Sequence, residues 1–451
     1  MKKLISLVLA TALLATTLTA CGGDPKPAPD AAATPDASAA PAQTVKVAAI
    51  ESAYGTEGWT KVIAAFEKQT GIKVEFIIDK NLEDVIGAGM KAGDYPDVVM
   101  LALGRKAALT ETMIKDKALT DLTDVLSMTV PGETKKVSEK IIPGFTDSTA
   151  TNPYGDGKMY MAPMFYSPCG LFYDSNLLKT KGWELPTTWD EMWALGDKAK
   201  AEGIALFAYP HSGYFDALFY GLCKSVGGQE FLDKVTTYQE GVWDTAEGKQ
   251  VIDVITKLAS YTEKSVPANG NNENFQKNQQ LILDDKAIFM PNGTWVVGEM
   301  KDAKRAEGFT WGFAPLPAAK KGGAQCSYTF LEQMWVPAQA ANIDAAKQFV
   351  AFMYSDEAAK LFASTEVPAV QPMTGLAANL TGDNKMFYSI YDNGAMGAMG
   401  SFATTEPVEG VSVADAAFAA VDSLVNGTKK ADDYKAGLVK AFDALRPALK
   451  K

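Results

Sequence analysis

The chain has 451 residues, 47% of them apolar and 22% charged, a globular composition with material for two or three domains and not that of a disordered or fibrous protein. Lys and Arg number 43 against 54 Asp and Glu, a net charge of −11, so the basic footprint that a phosphate backbone demands is missing and nucleic acid is not expected as a partner. One histidine, His211, and four cysteines without a Cys-x-x-Cys pair leave no basis for a zinc site, and neither metal nor cofactor is expected.

Residues 1–20 read as an export signal: Met1-Lys2-Lys3 is a basic start, an apolar run from Leu4 to Leu14 follows, and small residues precede a cysteine. Leu18-Thr19-Ala20-Cys21 resembles a bacterial lipobox, which implies a diacylglyceryl group on Cys21 and cleavage before it; the alternative is an ordinary signal peptide with an incidental cysteine. Without Lys2 and Lys3 the balance is 41 basic to 54 acidic residues, or −13, so acyl chains rather than surface charge would hold the protein on a membrane. Residues 21–43 are rich in Pro, Ala and Asp and have no large apolar side chain, the composition of a tether that cannot offset its ordering entropy. Cys169, Cys223 and Cys326 lie in apolar or aromatic surroundings, read as small buried thiols with no disulfide assigned.

From Thr44 the pattern alternates. Thr44 to Ile50 reads as a strand, Trp59 to Gln69 as a helix stopped by Gly71, Ile72 to Ile78 as a strand, Leu82 to Lys91 as a helix, and Asp97 to Ala102 as a strand buried on both faces. A second series starts after Tyr160. Leu171 to Tyr173 is strand-like, Thr188-Trp189-Asp190-Glu191 is a capping box opening a helix to about Glu202, and Ile204 to Ala208 is a strand. Helices follow at Phe215 to Val226 and Gly248 to Tyr261, then a strand at Lys286 to Met290 and a helix opening at Trp295 to Met300. The end is mostly helical, at Ala345 to Met353, Asp356 to Phe362, Val413 to Leu424 and Asp432 to Leu449. This alternation predicts an α/β protein with two doubly wound lobes, whose ligand sits beyond the carboxyl ends of the strands. That rule selects Glu51 to Gly55, Tyr209 to Tyr214 and Asn292 to Trp295.

Enzyme motifs mostly fail. Gly410-Val411-Ser412-Val413-Ala414 lacks the last glycine of a nucleophile elbow, Gly87 to Gly93 misses dinucleotide spacing inside a helical pattern, and a Ser/His/Asp triad could draw only on His211. A carboxylate pair among 54 acids stays open. What remains is aromatic residues after strands. Sugar rings present apolar C–H faces that stack on aromatic rings, while carboxylates and amides take their hydroxyls, so Tyr209, His211, Tyr214 and Trp295 suit a sugar cleft; local packing is the competing reading for the first three.

Several stretches carry a resemblance: Ala65 to Val74 (AFEKQTGIKV), Tyr95 to Val99, Gly157 to Pro163 with Gly170 to Asp174, Pro186 to Glu191 and Asn292 to Trp295. In this order they resemble the carbohydrate-binding lipoproteins of ABC importers, relatives of maltose-binding protein. The resemblance implies a type II periplasmic-binding fold of two lobes, residues 44–162 with about 315–357 and residues 163–314 with about 358–451, joined by a hinge that closes on a sugar before docking on a permease. It implies a monomer, no reaction, and ligand contacts at Glu51, Tyr54, Tyr166, His211, Tyr214, Asn292, Trp295, Phe330 and Glu332. Leu101 to Gly104 and Val411 to Ala414 lack the aromatic groups of the maltodextrin platform, whereas Pro186 to Tyr220 and Thr329 to Glu332 look more like binders of N-acetylglucosamine and chitobiose. A glycoside-acting lipoprotein enzyme and an adhesive surface lipoprotein are the alternatives.

Overall fold

In the computed structural model, described over residues 43–449 apart from 53, 104, 106, 272, 366 and 367, the chain from Ala42 onward forms one compact unit. The export signal, Cys21 and all of the tether but Gln43 lie outside the described residues. The strands are β1 (Thr44–Ile50), β2 (Lys73–Asp79), β3 (Val98–Met100), β4 (Met161–Asp174), β5 (Ala205–Phe207), β6 (Ala287–Gly293), β7 (Trp311–Ala314), β8 (Cys326–Trp335) and β9 (Met396–Ala398). They form one sheet in the order β2-β1-β3-β8-β4-β6-β5, with β7 on β4 and β9 on β8.

The opening unit is strand, helix, strand, as its pattern predicts. The helix α1 (Glu57–Thr70) buries Trp59, Val62 and Phe66 on one stripe and ends at Gly71, whose φ of 75° allows its N–H to close on the Glu67 carbonyl. The second helix, α2 (Leu82–Lys91), buries Leu82, Ile86 and Met90. The strands β2, β1 and β3 are parallel. In the second lobe α3 (Trp189–Ala201) has the expected capping box, with the Thr188 hydroxyl accepting from the Glu191 N–H and the Glu191 carboxylate accepting from Thr188 N–H in return. The helix α4 (Asp216–Thr236) runs past the expected end at Val226 and kinks at Gly228, where φ is 72°.

The two lobes are continuous through β4 and β8, which pair antiparallel from Met161↔Trp335 to Cys169↔Tyr328 with a bulge between Pro163 and Phe165. Trp335 and Met334 pair with β3, whereas Cys326 to Tyr328 pair with β9, so a single strand passes from one lobe to the other. Ala318, ahead of β8, bridges Thr188 at the start of α3. The helix Asp356–Ala363 packs against α1. Its Phe362 packs edge-on to Trp59 at 5.1 Å and fills the space over Gly58, where a Cβ would lie 2.7 Å from Phe362 Cδ1.

At the far end of β4, Asp174 is 2% exposed, and its Oδ1 accepts from the N–H groups of Asn176 and Thr310, both at 2.9 Å. Its Oδ2 faces Asp285, whose own Oδ1 is also buried without a donor, and burial together with Asp174 pushes the Asp285 carboxyl up to about 6. Cys169, Cys223 and Cys326 are free and buried, as their apolar contexts suggest.

Candidate functional site

The register of β4, β8 and β6 decides which side chains can meet. Phe165 pairs with Glu332, Ser167 with Phe330 and Cys169 with Tyr328, and Cys169 also pairs with Gly293. Side chains alternate along a strand, so these pairs share one face of the sheet at the crossing between lobes. Tyr166, Pro168 and Gly170, opposite Leu331, Thr329 and Asn292, face the other way.

From the first lobe the loop after β1 brings in Tyr54. Its ring packs edge-on to Phe165 at 5.3 Å and its hydroxyl lies 3.5 Å from Ser167 Oγ; burial and the nearby Glu332 push the hydroxyl up to about 12. Glu51, the residue after β1, anchors its N–H on the Asp79 carbonyl at 3.0 Å and stands 3.9 Å from Lys80 Nζ. Glu332 is buried, and among the described residues its Oε2 has no hydrogen-bond donor. Burial pushes its carboxyl up to about 7 against the opposing pull of Arg105. Arg105 enters from the loop after β3 and forks onto Glu83, Nε to Oε1 at 2.6 Å and Nη2 to Oε2 at 3.0 Å, which holds the Glu83 carboxyl below the usual carboxylate range. Phe330, 45% exposed, stands beside this group on the same face.

The second lobe supplies rings. Gly293 is the last residue of β6, and a Cβ on it would fall 2.1 Å from Cη2 and Cζ3 of Trp295, so the indole lies flat over this glycine. Trp295 is 39% exposed; Tyr214, on the short 3-10 helix Ser212–Phe215, meets it at 6.0 Å and 65°. His211 lies 4.3 Å from Tyr214, and its Nδ1 accepts from the Gly213 N–H at 3.1 Å, leaving Nε2 as the protonated nitrogen. Burial pushes its imidazole down, so it is uncharged at neutral pH. The Asp216 carboxyl, next along the chain from Phe215, is raised to about 6 by burial, and its charge is felt by Tyr214, Cys169 and Tyr328.

Six of the nine expected contacts thus gather about the crossing, Tyr54, Glu332 and Phe330 on one side and His211, Tyr214 and Trp295 on the other, whereas Glu51 is engaged by Asp79 and Lys80 at the end of β1. Tyr166 and Asn292 do not gather there either. Tyr166 is 2% exposed on the opposite face, packed edge-on against Phe145, Tyr388 and Tyr391. Asn292 is fully buried there too, its Oδ1 accepting from the Gly293 N–H at 2.8 Å, so it shapes the turn under Trp295. Tyr209 is equally interior and donates its hydroxyl to Asp422 at 2.6 Å. Sequence reasoning missed Arg105, Ser167 and Asp216. Arg105 and Asp216 obey the same rule of loops after strands, whereas Ser167 is visible only once the β4–β8 register is known. Among the described residues no three His, Cys, Asp or Glu side chains gather as a metal site, and no helix is long and apolar enough to cross a membrane.

The arrangement sets ring faces beside hydrogen-bond acceptors on one face of the sheet, as a small polar ligand with apolar faces requires. The described relatives agree with this architecture. The chain is 25% identical to the diacetylchitobiose-binding protein NgcE of Streptomyces coelicolor, over 73% of this chain and 70% of that one. It is also 25% identical to the galactooligosaccharide-binding protein of Bacillus subtilis, over 83% of this chain and 82% of that one. In structure it resembles the bacterial solute receptor AcbH, with a TM-score of 0.71 at 18% identity, covering 91% of this chain and all of the other, which confirms the two-lobe fold. Residues 52–360 match the family of bacterial extracellular solute-binding proteins, and the chain belongs to that family.

Proposed function

We propose that this chain is a receptor for a mono- or oligosaccharide, which it captures between its lobes by hinge closure and delivers to the permease of an ABC importer. The observation that carries the reading is that Tyr54, Phe330, Trp295 and Tyr214 gather with Glu332 and Asp216 about one face of the crossing, setting stacking surfaces beside acceptors as a sugar's faces and hydroxyls require. The sugar we assign is N-acetylglucosamine or a chito-oligosaccharide, supported by the NgcE relationship and by the segments Pro186 to Tyr220 and Thr329 to Glu332.

A diacylglyceryl group on Cys21 and the tether of residues 21–43 would hold the receptor at the outer face of the cell membrane as a monomer. The first lobe comprises residues 44–162 and the return through β8 and the helix Asp356–Ala363; the second comprises most of 163–325 and the remainder of the C-terminal part. Both are crossed by β4 and β8, which makes these strands the hinge. The protein performs no reaction in this scheme, in keeping with relatives that are binding proteins.

A thermal-shift screen of residues 42–451 against N-acetylglucosamine, chitobiose, cellobiose, xylobiose and maltose tests the reading, since a ligand that binds only the native state raises the melting temperature. A shift with the amino sugars and none with maltose is expected. Appearance of cleavage products on incubation with chito- or cello-oligosaccharides would replace it with the enzyme reading, and silence across the panel would favour an adhesive role.

A further inference from the structure

Within the cleft, Glu332 is the acid whose surroundings leave its charge unanswered. It is 8% exposed, and its Oε2 is shut away from solvent without a donor among the described residues. The groups that face it come from three elements. Arg105, after β3, has Nε and Nη2 both committed to Glu83 on α2; Tyr54, after β1, has its hydroxyl near Ser167; on β4 the paired residue is Phe165, an apolar ring. A buried carboxylate with an unmet lone pair is costly, and two things relieve it: a proton, or a donor that arrives with a ligand.

We propose that Glu332 is the ligand-sensing acid of the cleft: it accepts a hydrogen bond from a hydroxyl or amide N–H of the bound sugar and releases its own proton to solvent as that bond forms. The inference rests on the sugar-receptor reading and adds to it a direction of pH dependence. In the free protein burial holds the Glu332 carboxyl up at about 7. A ligand that donates to it stabilises the ionised form, so capture is linked to proton release and affinity rises with pH, by at most about tenfold per unit below that value, and levels off above it. The other shifted groups near the crossing account for little of this profile: burial pushes His211 down, Asp216, raised to about 6, contributes at most about twofold between pH 6 and 8, and Asp422, raised by burial, is taken up by the Tyr209 hydroxyl.

The test is calorimetric titration of residues 42–451 with chitobiose, and with the other four sugars of the panel, at pH 6, 7 and 8 in pairs of buffers with different ionisation enthalpies. Expected for a sugar that binds are a gain in affinity of about three- to tenfold from pH 6 to 8 and release of a fraction of a proton per site at pH 7. Glu332→Gln, which keeps the shape and cannot ionise, should bind with no pH dependence between pH 7 and 8 and keep at most the roughly twofold rise from pH 6 that Asp216 supplies, with proton release at pH 7 falling nearly to nothing. Binding by the wild type with a flat profile and no proton release, or a Glu332→Gln variant that retains the wild-type profile, would overturn the role of Glu332 and leave the receptor reading intact. Failure of every sugar to bind at every pH would overturn both.

Discussion

On the first-lobe side of the cleft the inward groups are Tyr54 and Glu332, both set against Phe165, which itself touches Trp59 and Phe362, with the Arg105–Glu83 fork acting on Glu332 from the loop after β3. On the second-lobe side Trp295, Tyr214 and His211 stand on a turn and a short 3-10 helix, their rings partly in solvent. The first wall is an extension of the hydrophobic core that happens to carry polar groups, so whatever disturbs it is felt by the fold. The second is a surface feature whose rings contribute little to stability and are free to serve a ligand.

That contrast is open to attack from both sides. The largest effect is expected from Phe165→Ala, which empties a site 1% exposed between three rings. It should lower unfolding free energy by about 3–5 kcal/mol in denaturant titration and weaken sugar binding as well. Trp295→Ala should do the opposite: lose about 1–3 kcal/mol of binding free energy by calorimetry while leaving the melting temperature within a few degrees of wild type. A large loss of stability in this second variant would erase the distinction between the walls. Gly293→Ala sharpens it, because the new methyl group would displace the indole without removing it; about 1–2 kcal/mol of affinity should go, with the indole fluorescence shifted.

Acids outside the cleft supply a control. Asp285 has a folded value of about 6 against an ordinary 3.8, so folding takes up a proton between these values. The stability this gives is whole below about pH 4 and is lost as pH rises through 6, where two carboxylates come to face each other. Asp285→Asn should therefore raise stability at pH 8 by about 1 kcal/mol and flatten the melting temperature between pH 4 and 7, with no change in the pH profile of sugar binding. The smallest effect is expected from His211→Ala, about 0.5 kcal/mol or less in affinity, since the neutral ring lies behind Tyr214.

Local signals were read reliably where the chemistry is local. The stripe Trp59, Val62, Phe66, the stop at Gly71 and the Thr188–Glu191 box each rest on residues within one or two turns. The long strands β4 and β8 were not legible. Met161 to Asp174 contains Pro163, Pro168 and Gly170 and is buried on nearly every residue, so it shows neither alternation nor an uninterrupted β-branched run; its pairing with a segment more than 150 residues away is what makes it a strand. The site divides the same way. Trp295 and Tyr214 announce themselves as aromatic residues just after strands, while the placing of Tyr166 behind the cleft and Glu332 within it depends on a register that changes face with every residue.

The glycine under Trp295 has a further consequence. With the six-membered ring lying on bare main chain and Tyr214 packed edge-on against the indole, the side chain is held from two sides. A ligand would find this platform already set and would not have to freeze it, a saving of about 0.5–1.5 kcal/mol for a side chain of this kind. Pre-organisation on one wall lets the conformational cost of capture fall on the hinge strands, which is where a receptor that must both grip and release its cargo can use it.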